Sequence, residues 1–356
     1  MKNKLKVAVV GLTVGGGHTA NYAASDSVSE IVICDIDKAK LESIGDKHSI
    51  AKRYTDYDLM LETEKPDAVS VAVPNFLHKT FTIKALEAGA HVLCEKPMAR
   101  NASEAEEMLN SAQKNNRKLM INFNQRFQPE VHTLKSLVDK GKLGDIYRIS
   151  TSWMRRRGVP WWYPLENGLE TCGGGALIDL GVHVLDRAMW ICGFPEPEWV
   201  LGNTFRKLSS NEARERGFKN FNSEDMAVAM IRMKNGTILE LEASWASNRE
   251  NETVKTRLYG TLGGAILESV INPVKSKTNK LFIETNGELK DIDMDEEIIP
   301  KTVSVNIREA FLDAIINDKE VPCTPQQGLQ INKILDAIYL SAKTAGPVNW
   351  QNLSAG

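Results

Sequence analysis

Short, continuously apolar segments alternate with helical patterns over residues 1–123, and this alternation constrains the fold more than any other feature. Continuously apolar strands separated by helices form parallel sheets covered on both faces, so the pattern predicts a doubly wound α/β domain. Ligands of such domains bind at the carboxyl ends of the strands. The predicted strands are Lys6–Val10, Ile31–Cys34, Ala68–Val73, His91–Cys94 and Lys118–Asn122, and the predicted helices include Thr80–Ala88 and Ser103–Asn115, the latter with Ser103 as its N-cap.

The pattern changes near residue 124, where several stretches alternate apolar and polar residues, as half-buried antiparallel strands do. We expect two domains, residues 1–123 and 124–356, the second an α/β domain with a mainly antiparallel sheet. An Asn-Gly pair within Lys234–Thr237 predicts a hairpin turn, and the acidic run Asp291–Glu297 is expected in a solvated loop or edge. The predicted strands are Ile146–Met154, Trp199–Phe205, Met226–Met233, Thr237–Ser244, Thr256–Tyr259, Ala265–Glu268 and Leu281–Ile283, and the predicted helices are Val131–Lys140, Ala176–Trp190, Val305–Ile316 and Gln327–Ala345.

The charges nearly balance, with 44 Lys and Arg against 46 Asp and Glu and a formal net charge of −2. A dedicated nucleic-acid-binding protein normally carries a basic field, so we expect no nucleic-acid partner. No apolar run approaches the roughly 20 residues of a membrane span, and the first residues run directly into a predicted strand, so we expect neither a membrane span nor a signal peptide. The five cysteines are scattered without metal-ligand spacing, so we expect no metal site and a cytoplasmic protein with reduced thiols.

A glycine-rich turn, Gly11–Gly17, lies between the first predicted strand and a helix. Glycines in this position let the backbone approach a pyrophosphate, and the helix N-terminus offers N–H groups and a positive dipole end. Gly11 and Gly16 fit the first and third positions of the G-x-G-x-x-G pattern, but Thr13 occupies the second. We expect Gly11, Thr13, Gly15 and Gly16 to line a phosphate site, and a plain glycine turn is the alternative.

Two carboxylates, Asp35 and Asp37, follow the second predicted strand. They come about 20 residues after the glycine turn, where an acid commonly binds the adenosine ribose hydroxyls. A carboxylate there repels a 2′-phosphate, and the first following cation is Lys38. The sequence therefore favours NAD over NADP.

Two further motifs follow predicted strands, beside the position expected for a nicotinamide ring. Lys96, between Glu95 and Pro97, can orient a substrate hydroxyl or lower the pKa of a base. A solvated lysine at a strand end is the alternative. The residues predicted here to contact the cofactor are Pro74, Asn75, His78, Glu95 and Lys96.

Asp179 and His183 lie four residues apart in a predicted helix that begins at the glycine run Gly173–Gly175, so they share one helix face. Histidine titrates in the range that general acid–base catalysis needs. A carboxylate one turn away can orient the imidazole or contact a substrate. The alternative is a core histidine with a satisfied hydrogen bond.

Taken together, these motifs resemble the Gfo/Idh/MocA oxidoreductases, which include glucose-fructose oxidoreductase and inositol dehydrogenases. The resemblance extends over nearly the whole chain. Its most specific pieces are Glu95–Pro97 and Gly173–His183, and Asn124–Phe127 and Ser341–Lys343 also fit. It implies a Rossmann domain followed by an α/β domain with an open, largely antiparallel sheet.

The resemblance implies hydride transfer between NAD(P) and a secondary alcohol or ketone of a sugar or cyclitol. Lys96 and His183 match the family's proposed catalytic residues, with Asp179 assisting, and Arg126 is expected at the cofactor. Thr13 is the departure from the family pattern, and it leaves the register of the phosphate turn open.

The stretch before the glycine run is rich in tryptophan and arginine. Aromatic faces suit the apolar faces of sugars, and arginines suit hydroxyls, carboxylates or phosphates, so the run favours an anionic sugar. The alternative is that the arginines face solvent or a neighbouring subunit and the tryptophans fill the core. The predicted substrate-binding residues are Lys96, Trp153, Arg155, Arg157, Trp162, Asp179 and His183.

Three functions fit this sequence. The first is an NAD-dependent sugar or cyclitol dehydrogenase, and the second is a glycosidase that acts through transient oxidation with the same cofactor. The third is a non-catalytic nucleotide or sugar sensor, which has no need of a base such as His183. An open sheet must cover its outer face, so a homodimer or homotetramer is expected.

Overall fold

Six parallel strands form the sheet of the N-terminal region in the computed structural model, which describes residues 4–160, 168–217, 221–272, 275–299 and 306–354. Their order is β3-β2-β1-β4-β5-β6, so the direction in which strands are added reverses between β1 and β4. Ligands of doubly wound sheets bind at that reversal. The strands are β1 Leu5–Val10, β2 Val28–Cys34, β3 Lys52–Tyr54, β4 Ala68–Val71, β5 His91–Cys94 and β6 Leu119–Ile121.

The five strands predicted from apolar runs are all present, because each contains residues buried on both faces of the sheet. Strand β3 was not predicted, since its sequence, Lys-Arg-Tyr, has no apolar run and its residues are half-buried. The helices are α1 Leu12–Ala23, α2 Lys38–Lys47, α3 Tyr57–Glu64, α4 His78–Glu87 and α5 Ala102–Lys114.

The N-cap of α5 is Asn101, whose side chain accepts a hydrogen bond from the Glu104 N–H. The prediction that Ser103 caps this helix is therefore wrong by two residues. Both residue types are good caps, and only the backbone conformation distinguishes them: Asn101 is extended, as an N-cap residue is.

Nine strands form the second sheet, in the order β14-β13-β12-β11-β7-β10-β9-β8-β15. The β7–β10 pair is parallel and every other pair is antiparallel. The acidic run falls on the edge strand β14 and the short helix after it, which are compatible with solvated carboxylates. The strands are β7 Ile146–Met154, β8 Pro197–Phe205, β9 Met226–Met233, β10 Ile238–Ser244, β11 Glu252–Gly260, β12 Gly263–Asn272, β13 Ser276–Thr285, β14 Glu288–Asp293 and β15 Val348–Asn349.

The predicted hairpin turn joins β9 to β10, and Gly236 has the positive φ that such a turn needs. A π-helical turn, Leu177–Gly181, runs directly into α8, where one regular helix was predicted. The remaining helices are α6 Pro129–Asp139, α7 Gly168–Cys172, α8 Val182–Ile191, α9 Ser209–Glu215, α10 Met294–Glu297, α11 Ile307–Ile316 and α12 Pro325–Thr344.

The chain divides into two compact units. The first unit contains Met1–Phe123 and Val305–Asn332, and the second contains Asn124–Ser304 and Lys333–Gly356. Helix α11 thus belongs with the parallel sheet, although the sequence pattern placed it in the second domain. In the described ranges no helix is long and apolar enough to cross a membrane.

Substitution of Gly11, the first glycine of the turn after β1, tests whether close backbone packing in this turn stabilises the fold. Gly11 has φ +84, and a Cβ there would lie 2.5 Å from the Ala72 carbonyl oxygen, whereas a Cβ at Gly17 meets nothing within 4 Å. We expect Gly11→Ala to lower the free energy of unfolding by about 2 kcal/mol or more, measured by urea denaturation. Gly17→Ala, within α1, is the matched control and should raise it by up to about 1 kcal/mol. Equal effects of the two substitutions would contradict this account.

Candidate active site

The turn between β1 and α1 is fixed by a carboxylate at the end of β2. Gly11 is the N-cap of α1, and Asp35 accepts hydrogen bonds from the Leu12 N–H (2.6 Å, at Oδ2) and the Asp37 N–H (2.9 Å, at Oδ1). The predicted ribose-binding acid therefore also holds the start of the helix whose N-terminus was predicted to bind phosphate.

The glycine that brings α1 close to the sheet is Gly15. A Cβ on Gly15 would lie 2.8 Å from Val9 Cγ1, whereas a Cβ on Gly16 would meet Ile44 of α2 at 3.0 Å. The sequence pattern placed Gly16 at the third glycine position and left the register of the turn open, and it is Gly15 that lies against the sheet. Gly16 instead allows α1 and α2 to pack closely.

The side chain of Thr13, at the second glycine position, accepts a hydrogen bond from Lys40 Nζ (2.9 Å). Lys40 Nζ also lies 3.5 Å from Asp37 Oδ2. Asp37 is the N-cap of α2, and hydrogen bonds from the backbone N–H groups of Lys40 and Ala39 lower the pKa of its carboxyl. Asp37 thus has a capping role beside its predicted role at the cofactor.

These features fit a bound dinucleotide. The first turn of a helix carries N–H groups without intrahelical acceptors, and Gly11 keeps the approach to them clear of a side chain. The Asp35 carboxylate stands at the end of β2, and Ile36 beside it is 91% exposed, which offers an apolar contact next to an acid. This chain can therefore hold an adenosine ribose and a pyrophosphate with residues of its first unit alone.

Behind Lys96, Glu95 belongs to a network with His18, which is fully buried. His18 Nε2 lies 2.8 Å from Glu95 Oε1, and His18 Nδ1 lies 2.6 Å from Ser70 Oγ. Asn122 donates to the same Glu95 oxygen, and Glu95 Oε2 accepts from the Lys96 N–H (3.2 Å). Glu95 was predicted to contact the cofactor, but these contacts make it an anchor for the Lys96 backbone.

Burial by itself raises the pKa of Glu95. The hydrogen bond and charge of His18, the charge of Lys96 and the Asn122 hydrogen bond outweigh that effect and lower the pKa to about 2. The carboxylate is therefore ionised over the working pH range. His18 was not predicted as part of the site, although it directly follows the glycine run in the sequence.

His78 is also buried, and it connects two loops at the strand ends. Its Nδ1 lies 2.7 Å from the Pro97 carbonyl oxygen and its Nε2 lies 2.9 Å from that of Val73. This environment gives His78 a structural role rather than the predicted contact with the cofactor. Pro74 is exposed and Asn75 is half-buried at the end of β4, as accessible cofactor-binding positions should be.

Lys96 is half-buried in the segment that follows β5. Its N–H donates a hydrogen bond to the Glu95 carboxylate, and the carbonyl oxygen of the next residue, Pro97, is hydrogen-bonded to the His78 ring. The predicted catalytic lysine therefore stands on a braced loop of the first unit.

The second unit holds Asp179 and His183. Asp179 lies in the π-helical turn, nearly buried, and its Oδ2 accepts a hydrogen bond from the Trp245 indole (2.9 Å). His183 lies in the first turn of α8, half-buried, with its ring centre 5.5 Å from that of Trp153. Single π-helical turns are frequent at functional sites.

A buried glutamate, Glu224, fixes the glycine run before this turn. Its carboxylate accepts hydrogen bonds from the N–H groups of Gly175 (2.8 Å) and Leu177 (2.9 Å) and from the Tyr339 hydroxyl (2.9 Å). Burial outweighs these hydrogen bonds and raises its pKa to about 7. Glu224 was not predicted from the sequence, where its only signal is that it is the first of two acids, Glu224 and Asp225, before the apolar strand β9.

Arg126 was predicted to bind the cofactor. The structure buries it in the second unit, where it forms a two-point ion pair with Asp186 (2.9 Å from Nε and 2.5 Å from Nη2). Its guanidinium also lies 5.1 Å from the Phe194 ring centre. This geometry is that of a core ion pair, and it does not support the predicted cofactor contact.

Of the two predicted sugar-binding arginines, Arg155 is ion-paired and Arg157 is hydrogen-bonded to neutral groups. Glu252 Oε1 accepts hydrogen bonds from the Trp153 indole (3.0 Å) and from Arg155 Nε (3.1 Å). Arg157 is exposed, and it donates to the Ser247 carbonyl (3.0 Å). The predicted residue Trp162 lies outside the described residues.

The sequence matches two family models. Residues 5–123 match an oxidoreductase family with an NAD-binding Rossmann fold, and residues 135–350 match the C-terminal alpha/beta domain of the same family. The chain belongs to the Gfo/Idh/MocA oxidoreductase family. The resemblance, the fold class and the NAD-binding domain expected from the sequence are thereby confirmed.

Relatives within this family include D-glucoside 3-dehydrogenase of Escherichia coli (strain K12), which is 33% identical over 347 residues that cover 96% of each chain. The fold matches that of an aldose-aldose oxidoreductase from Caulobacter crescentus complexed with glycerol, with a TM-score of 0.81, 24% identity and coverage of 98% of this chain and 100% of the other. It also matches levoglucosan dehydrogenase in complex with NADH, with a TM-score of 0.81, 21% identity and coverage of 98% and 99%.

The low pKa of Glu95 links stability to pH. Because the folded pKa, about 2, lies below the ordinary value of 4.5, Glu95 stabilises the fold above pH 4.5, and this contribution is lost as the pH falls toward 2. Between pH 5 and pH 3 we expect it to lower the free energy of unfolding by about 2 kcal/mol. Urea denaturation at both pH values should show a smaller pH dependence in Glu95→Gln. The exposed Glu87→Gln serves as control, and an unchanged pH dependence in Glu95→Gln would contradict the network.

Proposed function

We propose that this protein is an NAD-dependent dehydrogenase that oxidises a secondary hydroxyl group of an uncharged pyranoside. The observation that carries the proposal is that two groups suited to acid–base catalysis are held in place. Lys96 lies on a strand-end loop whose backbone is hydrogen-bonded to Glu95, and His183 follows Asp179, whose carboxylate accepts a hydrogen bond from the Trp245 indole, by one turn. A nucleotide sensor has no need of such groups.

The first unit supplies the cofactor site. The N-terminus of α1 and Gly11 accommodate the pyrophosphate, Asp35 accepts hydrogen bonds from the ribose hydroxyls, and Ile36 provides an apolar contact beside them. Pro74 and Asn75 follow β4, and because β4 is parallel to β1 they lie at the same carboxyl edge of the sheet as the β1–α1 turn. When bound, NAD⁺ supplies the hydride acceptor.

The remaining chemistry is transfer of a proton and stabilisation of charge. We assign the general base to the His183 imidazole, which takes the hydroxyl proton. The Lys96 ammonium donates a hydrogen bond to the same oxygen and stabilises the negative charge that develops there. Asp179, fixed by Trp245, orients the imidazole or accepts a hydrogen bond from a neighbouring hydroxyl.

The ion pair between Arg155 and Glu252 favours an uncharged substrate. Glu252 neutralises Arg155, the arginine nearest in sequence to Trp153, and Arg157 is occupied with a backbone carbonyl. Trp153 presents an aromatic ring beside His183, and such rings suit the apolar face of a pyranose. The E. coli relative, a D-glucoside 3-dehydrogenase, supports a glycoside as substrate and the C3 hydroxyl as the reacting group.

The substrate is tested with a panel of glucosides, free sugars, sugar acids, sugar phosphates and inositols, with NAD⁺ and NADP⁺ in parallel and NADH formation read by absorbance. We expect NADH release to be fastest with uncharged glucosides and NAD⁺. Net NADH release separates a dehydrogenase from a glycosidase, which recycles its cofactor. Preference for a sugar phosphate would contradict the proposed substrate, and faster turnover with NADP⁺ would contradict the role of Asp35.

The catalytic assignment is tested with Lys96→Met and His183→Ala. General acid–base assistance is typically worth about 10²–10⁴-fold, so each variant should lose kcat on that scale. NADH affinity, measured by fluorescence titration, should remain mostly intact, because neither change alters Gly11 or Asp35. The matched control Lys47→Met, at an exposed position of α2, should retain activity. Unchanged turnover in both active-site variants would contradict the assignment.

We propose further that the protein is a cytoplasmic homodimer or homotetramer. Each of the five cysteines carries a thiol, as in a reducing compartment. On the second sheet, Leu201 of β8 and Met230 of β9 are register partners and are 42% and 39% exposed, which is an apolar surface suited to a second copy. Analytical ultracentrifugation measures the assembly directly.

A further inference from the structure

We infer that Glu224 and Tyr339 are positioning residues that fix the positions and orientations of the Asp179 and His183 side chains. They act through the glycine run Gly173–Gly175 and the π-helical turn that follows it. The inference rests on the proposed function, since it is the geometry of the proposed acid–base pair that these two residues control.

Glu224 provides hydrogen-bond acceptors for backbone N–H groups at a buried helix start. The N–H groups of a first helical turn have no intrahelical acceptor, and in the interior they need one. Glu224, only 6% exposed, provides it with both carboxylate oxygens on the Gly175 N–H and one on the Leu177 N–H. Its own carbonyl accepts from the Ala176 N–H (3.1 Å). Three successive N–H groups are therefore held by one residue.

Tyr339 of α12 completes the contact from the other side. Its hydroxyl donates to Glu224 Oε1, and a Cβ on Gly174 would overlap that hydroxyl. A Cβ on Gly175 would overlap the Glu224 carbonyl oxygen. These two glycines are thus required by the contact with Glu224 and Tyr339.

The path from this contact to the proposed acid–base pair is short. The Asp179 N–H donates to the Gly175 carbonyl (3.1 Å), so Asp179 begins one turn after the residue that Glu224 holds. The π-helical turn then carries the chain to His183. Trp245 fixes the Asp179 carboxylate, and Trp245 is fully buried in the core cluster beneath the turn, which also contains Ala176 and Leu180. A shift at Gly175 therefore moves Asp179 against a fixed indole.

A carboxylate at position 224 cannot be replaced by an amide without a cost. Its Oε1 accepts hydrogen bonds from the Gly175 and Leu177 N–H groups and from the Tyr339 hydroxyl, and its Oε2 accepts from the Gly175 N–H as well. A glutamine keeps only one of these two oxygens and turns its NH₂ group toward an N–H in place of the other. Glu224→Gln keeps the shape of the side chain and removes this match. Tyr339→Phe removes only the hydroxyl.

The experiment compares Glu224→Gln and Tyr339→Phe with the control Glu288→Gln, an exposed glutamate on the edge strand β14. Misplacement of reacting groups by about 1 Å can cost about 10²-fold in rate, so we expect kcat per folded enzyme to fall roughly 10- to 100-fold in Glu224→Gln and less in Tyr339→Phe. NADH affinity should stay unchanged. The deuterium isotope effect on kcat, with substrate labelled at the oxidised carbon, should rise as the chemical step becomes slower.

Amide hydrogen exchange gives a readout that does not need the substrate. In Glu224→Gln the peptide that contains Gly175 to His183 should exchange faster than in the wild type, while peptides of the first sheet should not change. Unaltered exchange in this peptide and unaltered kcat in both variants would overturn the inference, and so would a loss of kcat that only follows the folded fraction. If Glu224→Gln does not fold, Tyr339→Phe carries the same measurements. A wild type inactive on every sugar refutes the proposed function, and the exchange measurement then decides the positioning inference separately.

Discussion

Backbone N–H groups at buried chain turns must find acceptors, and in this protein carboxylates provide them at three segments that carry a predicted function. Asp35 accepts from Leu12 at the start of α1, Glu95 accepts from Lys96, and Glu224 accepts from Gly175 and Leu177. An unpaired buried N–H is costly, so each carboxylate strongly restricts where its loop can lie. The cofactor-binding turn, the lysine loop and the π-helical turn depend on this one kind of interaction.

Close backbone contacts explain why parts of the sequence tolerate no Cβ. Gly11 is required because the β1–α1 turn passes against the Ala72 carbonyl, and Gly175 is required because Glu224 covers it. By contrast, the second glycine of the usual phosphate-binding pattern is replaced by Thr13, whose hydroxyl is held by Lys40. The pattern is thus kept where the backbone touches backbone and relaxed where the position is exposed.

The sequence was sufficient for the features that local patterns encode. Five of the six parallel strands were recognisable because each is a short apolar run, and motif spacing is the basis on which Asp35, Asp179 and His183 were predicted. What it could not provide depends on contacts between distant residues. Glu224 meets Gly175 across 49 positions, and Arg126 meets Asp186 across 60, so no periodicity reveals either pair. Strand β3 was missed for a different reason: its three residues have no apolar pattern to detect.

Local pairing also changes how the charges of the sequence should be interpreted. A run of three arginines beside a tryptophan suggested an anionic substrate, but Arg155 is paired with Glu252, which lies 97 positions away. Because Glu252 also accepts from the Trp153 indole, one carboxylate both neutralises the arginine and orients the ring that lies beside His183. The Arg155–Glu252 ion pair therefore adds no net charge beside Trp153, and it contributes through its shape and the directions of its hydrogen bonds. Discrimination among sugars then depends on hydroxyl geometry, which a rigid site built on fixed carboxylates can distinguish.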